Sequence, residues 1–169
     1  GVLFLGDLLP LSLGSSSPAV RLRISGETNL IPSASCSSQN DGSFQCEDRA
    51  RAVFAFSNGF RSIDTGDPRL LLRVEGAWQF DDASAAREAR EIFREYAKLF
   101  RAEPEGPFAV TLMRSTDAAQ AGQWQADSRG QDVMIFMADP PFRSQALQTL
   151  SVPLRHELFH LWLPNGVDL

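Results

Sequence analysis

Histidine is nearly absent from this 169-residue sequence: it occurs twice, as His156 and His160. Cysteine is as scarce, with only Cys36 and Cys46, and their ten-residue spacing with no histidine nearby does not match a cysteine-based zinc site. Positive charge is not in excess either. Sixteen Lys and Arg against 21 Asp and Glu give a net charge of -5, which removes the basic footprint of a nucleic-acid-binding surface. No apolar run approaches the ~20 residues a bilayer-spanning helix needs, so no transmembrane segment is expected. The opening Gly1-Val2-Leu3-Phe4-Leu5-Gly6-Asp7 lacks a basic start and contains an aspartate, and it reads as a strand instead of a signal peptide. There is no initiator methionine, and both ends read as cuts from a longer protein.

What is present is a soluble globular composition, 43% hydrophobic and 22% charged, sufficient for one ordinary domain or two small ones. Cys36 and Cys46 bracket a polar loop of Ser, Gln, Asn, Asp and Gly, and a pair around such a loop favours a disulfide over two unrelated thiols. A disulfide implies an oxidising compartment, hence a secreted or cell-envelope protein. Short strands are expected over residues 2–9, 19–24, 52–56 and 70–75, separated by turn signals at Asn58-Gly59 and Asp64-Thr65-Gly66-Asp67-Pro68. Arg21 and Arg23 then form a solvated face. Together these argue for a small β domain over residues 1–77.

The character changes at Trp78. Asp81 and Asp82 start a helix through about Arg101, with Ala85, Ala89, Ile92, Phe93, Tyr96, Leu99 and Phe100 as its apolar stripe. Strands follow at 108–113 and 132–137, with a polar stretch at 114–130 between them. Residues 144–150 form a short helical approach, and Pro153 places the start of the last helix near Ser151, running to the stop at Pro164-Asn165-Gly166. The class is α+β.

That last helix carries Arg155-His156-Glu157-Leu158-Phe159-His160-Leu161-Trp162. Residues at i and i+4 share a helix face, so His156 and His160 present two imidazoles to one metal ion, with Glu157 beside them as a general base. This is the HExxH spacing, and zinc is the expected ion. The apolar flanks Leu154, Leu158, Phe159, Leu161, Trp162 and Leu163 place the helix in the core, where the trio needs a common partner. A third histidine does not exist, which excludes the HExxHxxGxxH class; Leu163 and Gly166 stand where that pattern needs glycine and histidine. Asp168 is the sole acidic side chain after His160, so the third ligand is expected beyond the chain end.

With Trp162 and Pro164-Asn165 following the motif, the sequence resembles the gluzincin metallopeptidases, particularly the glycyl aminopeptidase family and its bacterial relatives. Gly6-Asp7-Leu8-Leu9-Pro10 and Trp78-Gln79-Phe80 are also similar to segments of that family. The resemblance implies an N-terminal β domain at 1–77 and the first part of a thermolysin-like catalytic domain at 78–169. It implies zinc on His156 and His160, Glu157 as general base, and a peptide or protein substrate. The fragment itself is then expected to be inactive alone. The family's third ligand, a glutamate in a Trp-x-x-Glu-Gly-like segment, has no match here. Nor does its Gly-x-x-Glu stretch, where Ser128-Arg129-Gly130-Gln131-Asp132 stands instead. The strand at 132–137 is expected to pair with an extended substrate, and Arg129 to be a solvated loop residue. The rival expectation is a non-catalytic binding or structural module that retains the helix for packing.

Overall fold

A computed structural model describes residues 1–8, 19–25, 30–32, 36–48, 50–57, 59–104, 106–115 and 120–163. Leu9, the breaker at 14–18, Asn58, the stop at 164–166 and Asp168 lie outside the described residues. Two compact units form, one from residues 1–59 with Arg129–Asp132, the other from 60–128 with 133–169.

The first unit holds two three-stranded antiparallel sheets. β1 (Val2–Phe4) and β3 (Leu30–Pro32) flank β6 (Val53–Phe56), while β2 (Val20–Leu22) and β4 (Cys36–Ser38) flank β5 (Phe44–Cys46). The apolar run expected as one strand from residue 2 leaves the β conformation after Phe4 and makes a helical turn, α1 (Leu5–Leu8). A Cβ at Gly6 would lie 3.1 Å from the Ala50 backbone, a close approach that glycine permits. Leu5, Cys46, Ala52 and Phe54 form the core. Cys36 and Cys46 face each other across β4 and β5 and are disulfide-bonded. Asp41 closes the intervening turn. Its Oδ1 accepts from the Ser43 N–H and Oγ, and its Oδ2 accepts from the exposed Arg21 and Arg23.

In the second unit, one five-stranded sheet has the order β10 (Trp124–Arg129), β11 (Asp132–Met137), β9 (Phe108–Arg114), β8 (Leu70–Glu75), β7 (Phe60–Asp64). β8, expected as a strand of the N-terminal β domain, belongs to this sheet instead, because it pairs parallel with β9 as well as antiparallel with β7, a strand outside those expected. The parallel pair needs a crossover, and α2 (Asp82–Phe100) supplies it. Asp81 caps α2, its carboxylate accepting from the Ser84 N–H at 2.7 Å, and Arg101 ends it in the left-handed region at φ 50°. Ala85, Ala86, Ala89, Ile92 and Phe93 are buried, whereas Leu99, expected in the stripe, is 69% exposed.

The last helix, α3 (Ala146–Phe159), begins five residues before the expected Ser151 and carries Pro153 in its interior. Proline costs about 3 kcal/mol in such a position. Ala146, Leu150, Leu154 and Leu158, four residues apart and each at most 1% exposed, outweigh that cost by burying one continuous stripe against the sheet and α2. Arg155 pairs with Glu95 of α2 at 2.7 Å, and the Tyr96 hydroxyl donates to the Arg155 carbonyl.

The loop before β8 yields a pH prediction. Asp67, 4% exposed, accepts from Arg69 and faces Arg94; its hydrogen bond to the Arg69 guanidinium holds its carboxyl below the usual carboxylate range. Its folded pKa being depressed, the stabilisation is complete above the unfolded value of about 3.9 and disappears as pH falls through the folded one. Asp67→Asn is expected to destabilise the protein by about 1–3 kcal/mol at neutral pH. Thermal melts of both proteins from pH 7 to 2 should converge below about pH 4. A gap that stayed constant over that range would refute the assignment.

Candidate active site

His156 lies in the last full turn of α3, and His160 is the residue at which the helix ends, with φ -64° and ψ -18°. The chain tightens there. His160, Leu161 and Trp162 donate to the carbonyls of Glu157, Leu158 and Phe159, three i to i−3 bonds of 3₁₀ type. The helix therefore stops before the expected Pro164, at Phe159. The tightened turn is pinned by Trp162, whose Nε1–H donates to the Ala102 carbonyl at 2.9 Å and whose ring lies against Phe93, Tyr96 and Phe100.

The two imidazoles converge. Their Nε2 atoms are 3.4 Å apart, and the ring planes are inclined by 76°. Two nitrogens each about 2.0–2.1 Å from one tetrahedral ion lie roughly 3.3–3.4 Å apart, so this spacing fits a shared zinc. His156 is exposed and His160 half-buried, leaving the pair open to solvent on one side. Glu157 is 4% exposed, with Oε1 at 3.8 Å from His156 Nε2. One donor atom from each of the three residues falls within a 4.8 Å cluster, the group among the described residues suited to holding a cation. The three residues expected from the motif are thus brought together.

Two further residues meet the trio, and neither belongs to the motif. The Ser128 hydroxyl donates to Glu157 Oε2 at 2.6 Å, and the Trp124 ring lies 5.8 Å from the His156 ring. Both sit on β10, in the stretch read as a polar connection. The signal for them was a period of two: Trp124, Ala126 and Ser128 alternate with Gln125, Asp127 and Arg129. Trp124 and Ala126 pack on the core of the second unit, and Ser128 turns the same way.

The strand order corrects a second expectation. The strand at 132–137, expected to pair with substrate, is β11, which already has β10 and β9 as neighbours; among the described residues the edge strand on that side of the sheet is β10. Arg129, expected to be solvated, faces Asp7 at 3.7 Å and lies over the Phe4 ring at 5.4 Å within the first unit. Asp132 is buried at 2% exposure. The disulfide between Cys36 and Cys46 is compatible with an extracellular location, and among the described residues no helix is long and apolar enough to cross a membrane.

No family model matches the chain, and no curated protein matches its sequence. Its fold is similar to the crystal structure of an aminopeptidase N family protein from Idiomarina loihiensis, with a TM-score of 0.64 at 13% sequence identity. The match covers 93% of this chain and 31% of that one, so the chain spans about a third of the length of its structural neighbour.

Proposed function

We propose that this chain is the N-terminal part of a zinc-dependent peptidase of the gluzincin type, secreted or held in the cell envelope. The observation that carries the reading is the 3.4 Å separation of His156 Nε2 and His160 Nε2 beside the buried Glu157 carboxylate. His156 and His160 hold the ion, and a third donor comes from sequence beyond residue 169. When bound, zinc supplies a Lewis acid that polarises the scissile carbonyl and makes water acidic enough to lose a proton near pH 7, an effect of about this size being usual for catalytic zinc. Glu157 receives that proton and hands it to the leaving amine. A peptide substrate lies extended along β10, whose outer edge has no strand neighbour among the described residues of the five-stranded sheet, and pairs with its backbone.

The test compares the 169-residue chain with one extended at its C-terminus, measuring zinc affinity and peptide hydrolysis. The short chain should bind zinc weakly through the two histidines and hydrolyse little. The extended one should bind tightly and lose hydrolysis on chelation. Strong hydrolysis by the short chain alone would remove the need for an outside ligand. An extended chain that binds no zinc would favour the rival, a non-catalytic module.

A further inference from the structure

Resting on that reading, we infer that Ser128 is a positioning residue: it keeps Glu157 a proton acceptor and out of the ligand set of the metal. Glu157 is adjacent in sequence to one histidine and within 4.8 Å of both ligand nitrogens, so its carboxylate is placed for either role. Carboxylate oxygens bind zinc readily at about 2.0–2.2 Å, and two histidines leave coordination positions open. A carboxylate free to turn toward such an ion is able to become a ligand, and a ligated oxygen is a poor base.

The commitment comes from β10. Ser128 Oγ–H donates to Glu157 Oε2 at 2.6 Å, the length of a hydroxyl-to-carboxylate bond strengthened by the charge. The carboxylate is buried, so this bond is not readily exchanged for water, and it holds the carboxyl plane in one orientation. With Oε2 occupied, the oxygen turned toward His156 is Oε1, at 3.8 Å. Oε1 is thus the atom that receives the proton. Four residues earlier on the same side of β10, Trp124 sets its ring against His156. One strand therefore indexes both a ligand and the base, through positions separated by two periods of the strand.

The experiment is a zinc titration of the 169-residue chain by competition with a chromophoric chelator, so that it reads coordination and not turnover. Wild type should show weak binding that disappears in His156→Ala. Ser128→Ala should bind zinc roughly tenfold or more tightly, within the range by which groups around a metal site alter affinity. The gain should vanish in the Ser128→Ala, Glu157→Ala double variant, and Ser128→Thr, which keeps the hydroxyl, should match wild type. Ser128→Val, the shape of threonine without its hydroxyl, repeats the comparison if the alanine variant melts below the assay temperature. Unchanged affinity on loss of the hydroxyl, or a gain that survives without Glu157, overturns the role of Ser128 while leaving the zinc-peptidase reading standing. Absence of His156-dependent binding in wild type overturns that reading, and the inference with it.

Discussion

Glu157→Gln, introduced into a zinc-loaded and C-terminally extended chain, is expected to lower kcat by roughly 10²–10⁴-fold, the range typical of removing a positioned general base. The substitution is nearly isosteric, and its amide oxygen can still accept from Ser128, so the buried packing around position 157 should survive. What is lost is the basicity of Oε1. On the proposed reading the side chain acts in the transition state and not in holding substrate, so kcat and kcat/KM should fall together with KM little changed. On that same reading the ion rests on His156 and His160, whose Nε2 atoms are 3.4 Å apart, so zinc affinity should stay within a few-fold of wild type. A fall in activity of less than tenfold, or one that tracks loss of zinc, would show that Glu157 is not the base.

The half of this site carried by α3 was legible in the sequence because it depends on one helix alone. Residues 156, 157 and 160 are related by helical geometry, and any helix over them brings the two rings together. The other half was not, because Ser128 reaches Glu157 across 29 residues through a strand at the sheet edge. Nothing local in Trp124–Arg129 says which element its inward face will meet, and its polar composition leaves only the period of two to mark the strand.

The fold divides along the same line. β8, β9 and β11 are apolar runs, legible as strands from composition, and α2 announces itself by its Asp81 cap and its stripe. β3, β4 and β5 are three residues each, too short and mostly too polar for any periodicity to register, and their order comes from the pairing and the disulfide. The sheet to which β8 belongs was hidden for a different reason. Its turn signals resemble those of the preceding strands, and only its parallel pairing with β9, more than thirty residues on, joins it to the second sheet. The early start of α3 was hidden by Pro153: a local rule about proline is outweighed by a stripe of four side chains whose burial depends on the tertiary fold.

Phe93→Ala is expected to destabilise the protein by about 3–5 kcal/mol, the usual cost of emptying a fully buried phenylalanine site. Phe93 is 0% exposed on α2, with its ring centroid 6.0 Å from Phe108 of β9, 5.2 Å from Trp162 and 5.3 Å beneath the Arg69 guanidinium. It therefore links crossover helix, central sheet and the 3₁₀ turn after α3, and no neighbour can fill the space without giving up its own contacts. The melting temperature should drop by on the order of 10 °C. A second effect follows from the position of Trp162, two residues beyond His160 in that same tightened turn. With the Phe93 ring gone, the indole loses one wall of its seat, and the turn that aims His160 at His156 is held less firmly. Zinc affinity should then weaken even at temperatures where the variant remains folded, whereas Leu99→Ala, on the same helix but 69% exposed, should change stability by no more than about 0.5 kcal/mol and zinc binding not at all. A Phe93→Ala protein that lost stability yet bound zinc as wild type does would mean that the turn is held by the Trp162–Ala102 hydrogen bond and the remaining rings alone.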